Sequence, residues 1–451
     1  MDAVRSWRGI PFAQPPVGDL RWRPPQSPVT WGGVRDTTSY GGSCVQPADY
    51  SFGDRDRDLT RRSGSSEDCL YLNVTAPQAS HDEAAGPSAA LPVIVWLHGG
   101  GFFGGSGSLI DPSVLAARGV VVVTVNYRLG RLGFFAHPSL RTDVANLGLL
   151  DQMSALQWVR DNISGFGGDA RSVTLMGGSA GAMSVNALMA APAAAGLFDR
   201  AIAESAPGDS AALTLEQARR HGERAFPGRT ADQLRAMPAS AFLSSRFNVL
   251  TGDAPIVDSV LPETATDAFA AGHEAAVPYL LGSTDGEFSD ADYRSAGIGP
   301  ARMRASLGGR DHAELVASYG RRDYRDHVLD DLVFAAPAAS LALEHSSRAP
   351  TYRYRFAADP DGSGHGAEVS YVFGLEDRPS QQILVSAIGA YWLAFARTGH
   401  PDASGLPTWP EARGTAVLLL TASGPVPLST DPWTDRLRAL YATVPLRLPI
   451  S

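Results

Sequence analysis

The stretch Val173-Thr174-Leu175-Met176-Gly177-Gly178-Ser179-Ala180-Gly181 decides how the rest of the chain is read. A short run with the composition of a buried strand enters G-x-S-x-G. An apolar run, Met183–Ala191, follows with the composition of a helix. A serine on so sharp a strand-to-helix turn is held in a strained backbone conformation, and only small residues two positions to either side avoid a clash. The helix beyond points its first N–H groups back at the serine, a setting that suits a developing anion. G-x-S-x-G by itself recurs by chance and also fits a tightly packed glycine turn. The strand before it and the helix after it single out Ser179 as a nucleophile.

Upstream, Val93–Leu97 is a continuous apolar run that ends in His98-Gly99-Gly100-Gly101-Phe102. Three glycines in a row let backbone N–H groups approach one point closely, as an oxyanion hole requires. Val120–Val125 is another such run, and Asp151–Ile163 carries Met153, Leu156, Val159 and Ile163 near helical spacing. Runs of this kind suit strands buried on both faces, so the order predicts a mostly parallel central sheet flanked by helices, a doubly wound α/β fold. Downstream, Tyr279–Gly282, Thr351–Phe356 and Val417–Leu420 read as strands. Gln381–Arg397 reads as an amphipathic helix with Leu384, Ile388, Trp392 and Phe395 on one side.

Between these elements, residues of about 205–275 are rich in helix formers and read as a helical insertion over the sheet. The first 45 residues, rich in Pro, Gly and Arg, read as extended segments and turns. Residues 50–67, with the charge run Asp54–Asp58, and residues 78–90 read as exposed loops. No repeat or long linker divides the chain, so one domain over 1–451 is expected.

Composition narrows the function. The chain has 451 residues, 44% of them hydrophobic and 19% charged, as in ordinary globular proteins. No apolar stretch is long enough for a membrane helix, so no membrane association is expected. A net charge of −9 argues against nucleic acid as a partner. All 38 cationic residues are Arg, which excludes Schiff-base and P-loop lysine chemistry. No signal peptide is visible at the start, where Asp2, Arg5 and Arg8 interrupt any apolar run. Cys44 and Cys69 read equally well as a disulfide of an exported protein or as two reduced thiols of a cytoplasmic one.

A serine nucleophile on this fold calls for an acid and then a histidine later in the chain. Of the histidines after Ser179, His365 stands in Ser363-Gly364-His365-Gly366, a loop just past a strand. A mobile base belongs in such a place. His221, His273, His312, His327, His345 and His400 have helical or charged neighbours and read as surface residues. Asp285 and Glu287 both follow the strand Tyr279–Gly282, and position alone does not separate them.

The chain resembles the type-B carboxylesterase (cholinesterase-like) family of the α/β-hydrolase superfamily. The likeness rests on Arg8-Gly9-Ile10-Pro11-Phe12, Ser66-Glu67-Asp68-Cys69-Leu70-Tyr71-Leu72-Asn73-Val74, His98–Phe102, Asn126-Tyr127-Arg128 and Asn146-Leu147-Gly148-Leu149-Leu150-Asp151-Gln152. It continues through the Ser179 turn to His365-Gly366-Ala367-Glu368. The resemblance implies an α/β-hydrolase fold and hydrolysis of small-molecule esters without metal or cofactor. It implies Ser179 as nucleophile, His365 as base and Glu287 as acid, with N–H groups of Gly100, Gly101 and Ala180 as oxyanion donors. It further implies a Cys44–Cys69 disulfide and structural ion pairs Arg21–Glu67 and Arg128–Asp151.

Several positions depart from the family pattern. Gly178 stands where a glutamate usually precedes the nucleophile, and Phe288 stands where a small residue usually follows the acid. The Cys44–Cys69 loop has Tyr50 and Phe52 but no Trp. A pocket for a quaternary ammonium is thereby weakened, and neutral esters are the expected substrates. Acyl transfer, lactone formation or amide cleavage would use the same three side chains. A non-catalytic binding protein of the family would have lost the serine, which is present here.

Overall fold

The computed structural model describes residues 4–48, 65–78, 90–208, 213–243, 253–295, 307, 312–359 and 363–443. Its strands are β1 (Val4–Pro11), β2 (Ser43–Cys44), β3 (Ser65–Ser66), β4 (Tyr71–Pro77), β5 (Leu91–Leu97), β6 (Val121–Val125), β7 (Gly168–Gly178), β8 (Arg200–Glu204), β9 (Tyr279–Thr284), β10 (Thr351–Ala357), β11 (Val417–Thr421) and β12 (Gly424–Leu428). Among the described residues ten of these form one sheet, ordered β1-β4-β6-β5-β7-β8-β9-β10-β11-β12. The pairs β1–β4, β4–β6 and β11–β12 are antiparallel, and every pair from β6 to β11 is parallel. The edge strand β12 carries Pro425 and Pro427, which cannot donate to a further strand.

The buried stretches Val93–Leu97, Val121–Val125 and Val173–Met176 are largely apolar because each of their faces has its own core. Val93, Val95, Leu97, Val173 and Leu175 pack on one side with Leu156 and Val159 of the helix Leu147–Asn162 and Val185 of the helix Ala180–Ala190. Ile94, Trp96, Val122 and Met176 pack on the other with Leu384, Ile388, Trp392 and Phe395 of the helix Gln382–Thr398. Successive strand side chains point to opposite faces, so a two-sided sheet removes the polar positions of an alternating pattern.

The chain passes from β5 to β6 on one side. It then crosses back through the helix Leu147–Asn162 to β7 on the other side of β5. The loops after β5 and β7 therefore diverge from one point at the C-terminal edge of the sheet, where such folds open a crevice. The helices Leu215–Ala225, Ala231–Ala236 and Ala265–Ala271 lie within the insertion read from the sequence. Both Thr214 and Thr230 start their helices with a reciprocal capping box.

A further group of helices, unassigned in the sequence, lies between β9 and β10: Asp290–Ser295, His312–Tyr319, Arg321–Asp330 and Ala336–His345. A π turn, Asp331–Ala335, joins the last two. Pro337 obscures the helical pattern there; it follows the π turn without a break in the helix, and the Val333 carbonyl, four residues before it, accepts from the Gly208 N–H at 2.7 Å instead.

Cys44 and Cys69 are joined by a disulfide, which constrains the unfolded chain by roughly 3 kcal/mol in the loop-entropy model. The Arg21–Glu67 and Arg128–Asp151 pairs are present at 2.5 and 2.7 Å. The Asp54–Asp58 run, Tyr50 and Phe52 lie outside the described residues, as does most of 78–90. No helix among the described residues is long and apolar enough to cross a membrane.

Candidate active site

Ser179 occupies the turn between β7 and the helix Ala180–Ala190, with φ 55° and ψ −121°. A non-glycine residue held there is strained, and the neighbouring packing enforces it. A Cβ on Gly177 would lie 2.4 Å from the Gly181 carbonyl carbon, and one on Gly181 would lie 2.0 Å from the Leu97 oxygen. The helix thus starts hard against the end of β5. The Ser179 N–H is fixed by the Glu204 carbonyl at 2.8 Å.

The glycine loop after β5 arrives at the same point. A Cβ on Gly99 would meet the Gly178 oxygen at 2.9 Å and Ser179 Cβ at 3.2 Å. Gly100, Gly101 and Phe102 all have positive φ, so the backbone turns sharply beside the serine. Phe102 anchors the loop, buried edge-on against Phe134. His98 is also buried, stacked on Tyr127, whose hydroxyl donates to the His98 carbonyl at 2.7 Å. Burial depresses the His98 pKa to about 4, so it is a neutral packing residue. Ala180 opens the helix, where the first N–H groups have no intrahelical partner.

His365 lies beyond β10, ahead of the helix Ala367–Val372. Its Nε2 is 2.7 Å from Ser179 Oγ, and its Nδ1 is 2.5 Å from Glu287 Oε2. Glu287 is buried, and its other oxygen accepts from the Thr284 N–H at 2.8 Å. Asp285, equal to Glu287 on sequence position, serves elsewhere: it accepts from the Ser363 N–H at 2.9 Å, holding the loop that leads to His365. The structure therefore brings Ser179, His365 and Glu287 into one hydrogen-bonded line. Burial, the largest influence on the imidazole, disfavours its charged form. The Glu287 carboxylate and its hydrogen bond, with Glu368 and Asp330 farther off, more than offset this and raise its pKa.

The imidazole also has aromatic walls. Phe288 and Phe334 lie 4.6 and 5.0 Å from it, centroid to centroid. Phe334 belongs to the π turn, a feature common at functional sites. Behind these rings Glu368 is fully buried, with Oε1 accepting from Ser205 Oγ at 2.5 Å and Tyr354 at 2.9 Å. Glu204 is likewise buried and accepts from Trp392 Nε1 at 2.7 Å. The sequence signalled Glu368 only by its place three residues after His365. Glu204, Ser205, Asp330 and Phe334 carried no signal, because each reaches the site through long-range packing.

Other histidines lie apart from this line. His273 and His400 pair with Glu263 and Tyr352. His345, expected at the surface, is wholly buried between the Glu274 carboxylate and the Val277 carbonyl. Its helix packs against β9, so a polar-looking sequence context concealed a core position. The His312 side chain lies outside the described residues. Beside Ser179, a Cβ on Gly178 would meet Trp96 at 3.1 Å and Val369 at 3.3 Å. Two apolar side chains occupy the approach where the family usually has a carboxylate.

The family model for the carboxylesterase family matches residues 1–297 and 317–426. The chain belongs to the carboxylesterase family. It is 38% identical to the para-nitrobenzyl esterase of Bacillus subtilis over 98% of this chain and 95% of that one. It is 35% identical to the fumonisin B1 esterase of Sphingopyxis macrogoltabida, covering 91% of this chain and 82% of the relative. Human cocaine esterase is 32% identical over 90% of this chain and 81% of its own. A solved PNB esterase superposes with a TM-score of 0.82 at 35% identity, over 98% of this chain and 96% of the other. The fold is that of the α/β-hydrolases, and the activity is carboxylic ester hydrolysis.

Proposed function

We propose that this esterase cleaves uncharged carboxylic esters through an acyl-enzyme formed on Ser179. The observation that carries the reading is the continuous line from Ser179 Oγ through both nitrogens of His365 to Glu287, at 2.7 and 2.5 Å. Ser179 Oγ attacks the ester carbonyl while His365 Nε2 takes its proton. Glu287 holds the ring with Nδ1–H toward itself and stabilises the imidazolium. The N–H groups of Gly100, Gly101 and Ala180 stabilise the tetrahedral oxyanion. His365 then gives its proton to the departing alcohol. A water attacks the acyl carbonyl, loses a proton to His365, and the acid leaves as Ser179 Oγ is reprotonated.

The preference for neutral esters is supported by Gly178, which puts no carboxylate at the position before the nucleophile and has the apolar Trp96 and Val369 beside it. Ser179→Ala should abolish turnover of p-nitrophenyl butyrate, and undiminished activity would refute the nucleophile. Butyrylthiocholine should be a far poorer substrate of the wild type than the p-nitrophenyl ester. Comparable kcat/KM for the two would refute the neutral preference.

A further inference from the structure

The carboxyl of Asp330 reaches the turn that carries Glu287. It stands at the end of the helix Arg321–Asp330 and is buried. Its Oδ1 accepts from the Phe288 backbone N–H at 3.2 Å and from the Tyr293 hydroxyl at 2.7 Å. Phe288 directly follows Glu287, and its ring faces the imidazole of His365. Tyr293 and Phe334 meet that ring edge-on at 5.4 and 5.3 Å. One carboxyl thus ties down both the backbone next to the acid and the aromatic wall of the base. Ester hydrolysis has no step for it. Among the described residues, the side-chain and backbone donors to this buried carboxyl are a phenol and an amide, a costly arrangement merely to fill space.

We propose that Asp330 is a positioning residue, which holds Glu287 and His365 in line with Ser179 through Phe288 and Tyr293. The inference rests on the roles assigned above to Glu287 and His365. The titratable groups facing Asp330 are Glu287, Asp331, Tyr293 and His365, and Arg436 and Arg355 act on Asp331 from beyond it. Burial pushes Asp330 up to about 7, with Glu287 and Asp331 adding to the rise and the two hydrogen bonds opposing it. Below that pH the carboxyl is neutral and gives the imidazolium no support. Above it, the anion draws both donors more tightly and favours a proton on His365. Two groups therefore change charge along the acid limb of kcat/KM.

The test is the pH profile of Asp330→Asn, with kcat normalised to sites titrated by a fluorophosphonate. The amide keeps the shape and one acceptor oxygen but loses the charge. We expect kcat to fall roughly tenfold with KM little changed, the size of effect that slight misplacement of reacting groups produces. We expect the acid limb to move to lower pH and to fit a single proton. A residue that served stability alone would lower the melting temperature and leave the normalised profile in place, and that result would overturn the proposal.

Tyr293→Phe keeps the ring and removes only the phenol donor to Asp330. It should move the Asp330 contribution to higher pH, and an unmoved profile would again overturn the proposal, even if the asparagine variant fails to fold. Glu287→Gln separates the two levels of inference. If it leaves activity intact, the underlying assignment fails. If it impairs activity while both the Asp330 and Tyr293 variants are unmoved, only the positioning role fails.

Discussion

His365 owes its chemistry to what it touches. A solvent-exposed imidazole would favour the proton less; here a carboxylate at 2.5 Å overcomes the burial that opposes charge. In the proposed mechanism the base must be neutral to act, so a raised pKa puts the acid limb of kcat/KM above the ordinary histidine value. Activity is lost as pH falls through it. Glu287→Gln removes the charge, so the limb should move to lower pH while kcat falls by about 10²–10⁴-fold. A stopped-flow or steady-state pH series checks both, and a limb that stays in place would show that Glu287 does not govern the base. At this scale the sequence was partly legible. Ser179 and His365 stood out because their neighbours are glycines with a steric purpose. Asp285 and Glu287 were indistinguishable from the residues alone, since two positions of chain decide which carboxylate faces the ring, and the turn's path is set by Thr284 and Asp330.

At the scale of elements, the site is the meeting of two strand ends and a helix start. Gly181 is the tightest point, since any Cβ would lie 2.0 Å from the Leu97 oxygen. Gly181→Ala should therefore push the helix Ala180–Ala190 off β5, costing more than about 2 kcal/mol. Urea denaturation would show this as a lower midpoint, with turnover lost alongside because Ala180, one of the proposed oxyanion donors, moves with the helix. An alanine variant of wild-type stability would contradict the packing. The buried strands β5, β6 and β7 were legible as continuous apolar runs, and the helix Gln382–Thr398 as a stripe of large side chains. The strand β8, Arg-Ala-Ile-Ala-Glu, was not, because small residues between two charges suit either period equally. The helices between β9 and β10 were also missed, although they supply Phe334 and Asp330. Their charged and alanine-rich runs have no dominant apolar stripe, and Pro337 interrupts the pattern.

Across the whole molecule, the sheet keeps an acid core behind the site at a cost in stability. Glu204 is wholly buried, and burial, reinforced by the nearby Glu368, raises its pKa well above the ordinary value. The sign follows from linkage. The unfolded chain releases this proton near the ordinary glutamate value of 4.5 while the folded one retains it, so stability falls as pH rises above that value. Glu204→Gln keeps an acceptor for Trp392 and removes the titration. It should melt higher than the wild type at neutral pH, and the gain should vanish near pH 4. A gain that persists unchanged at low pH would refute the linkage. By itself, the sequence determined the layered fold, the serine turn, the glycine loop and the histidine that follows them, because backbone sterics and strand burial leave local marks. The residues alone did not say which carboxylate meets the imidazole, and only the tertiary structure decided which rings enclose it and which buried acids stand near it. Those outcomes depend on segments far apart in the chain, brought together by packing that has no local period.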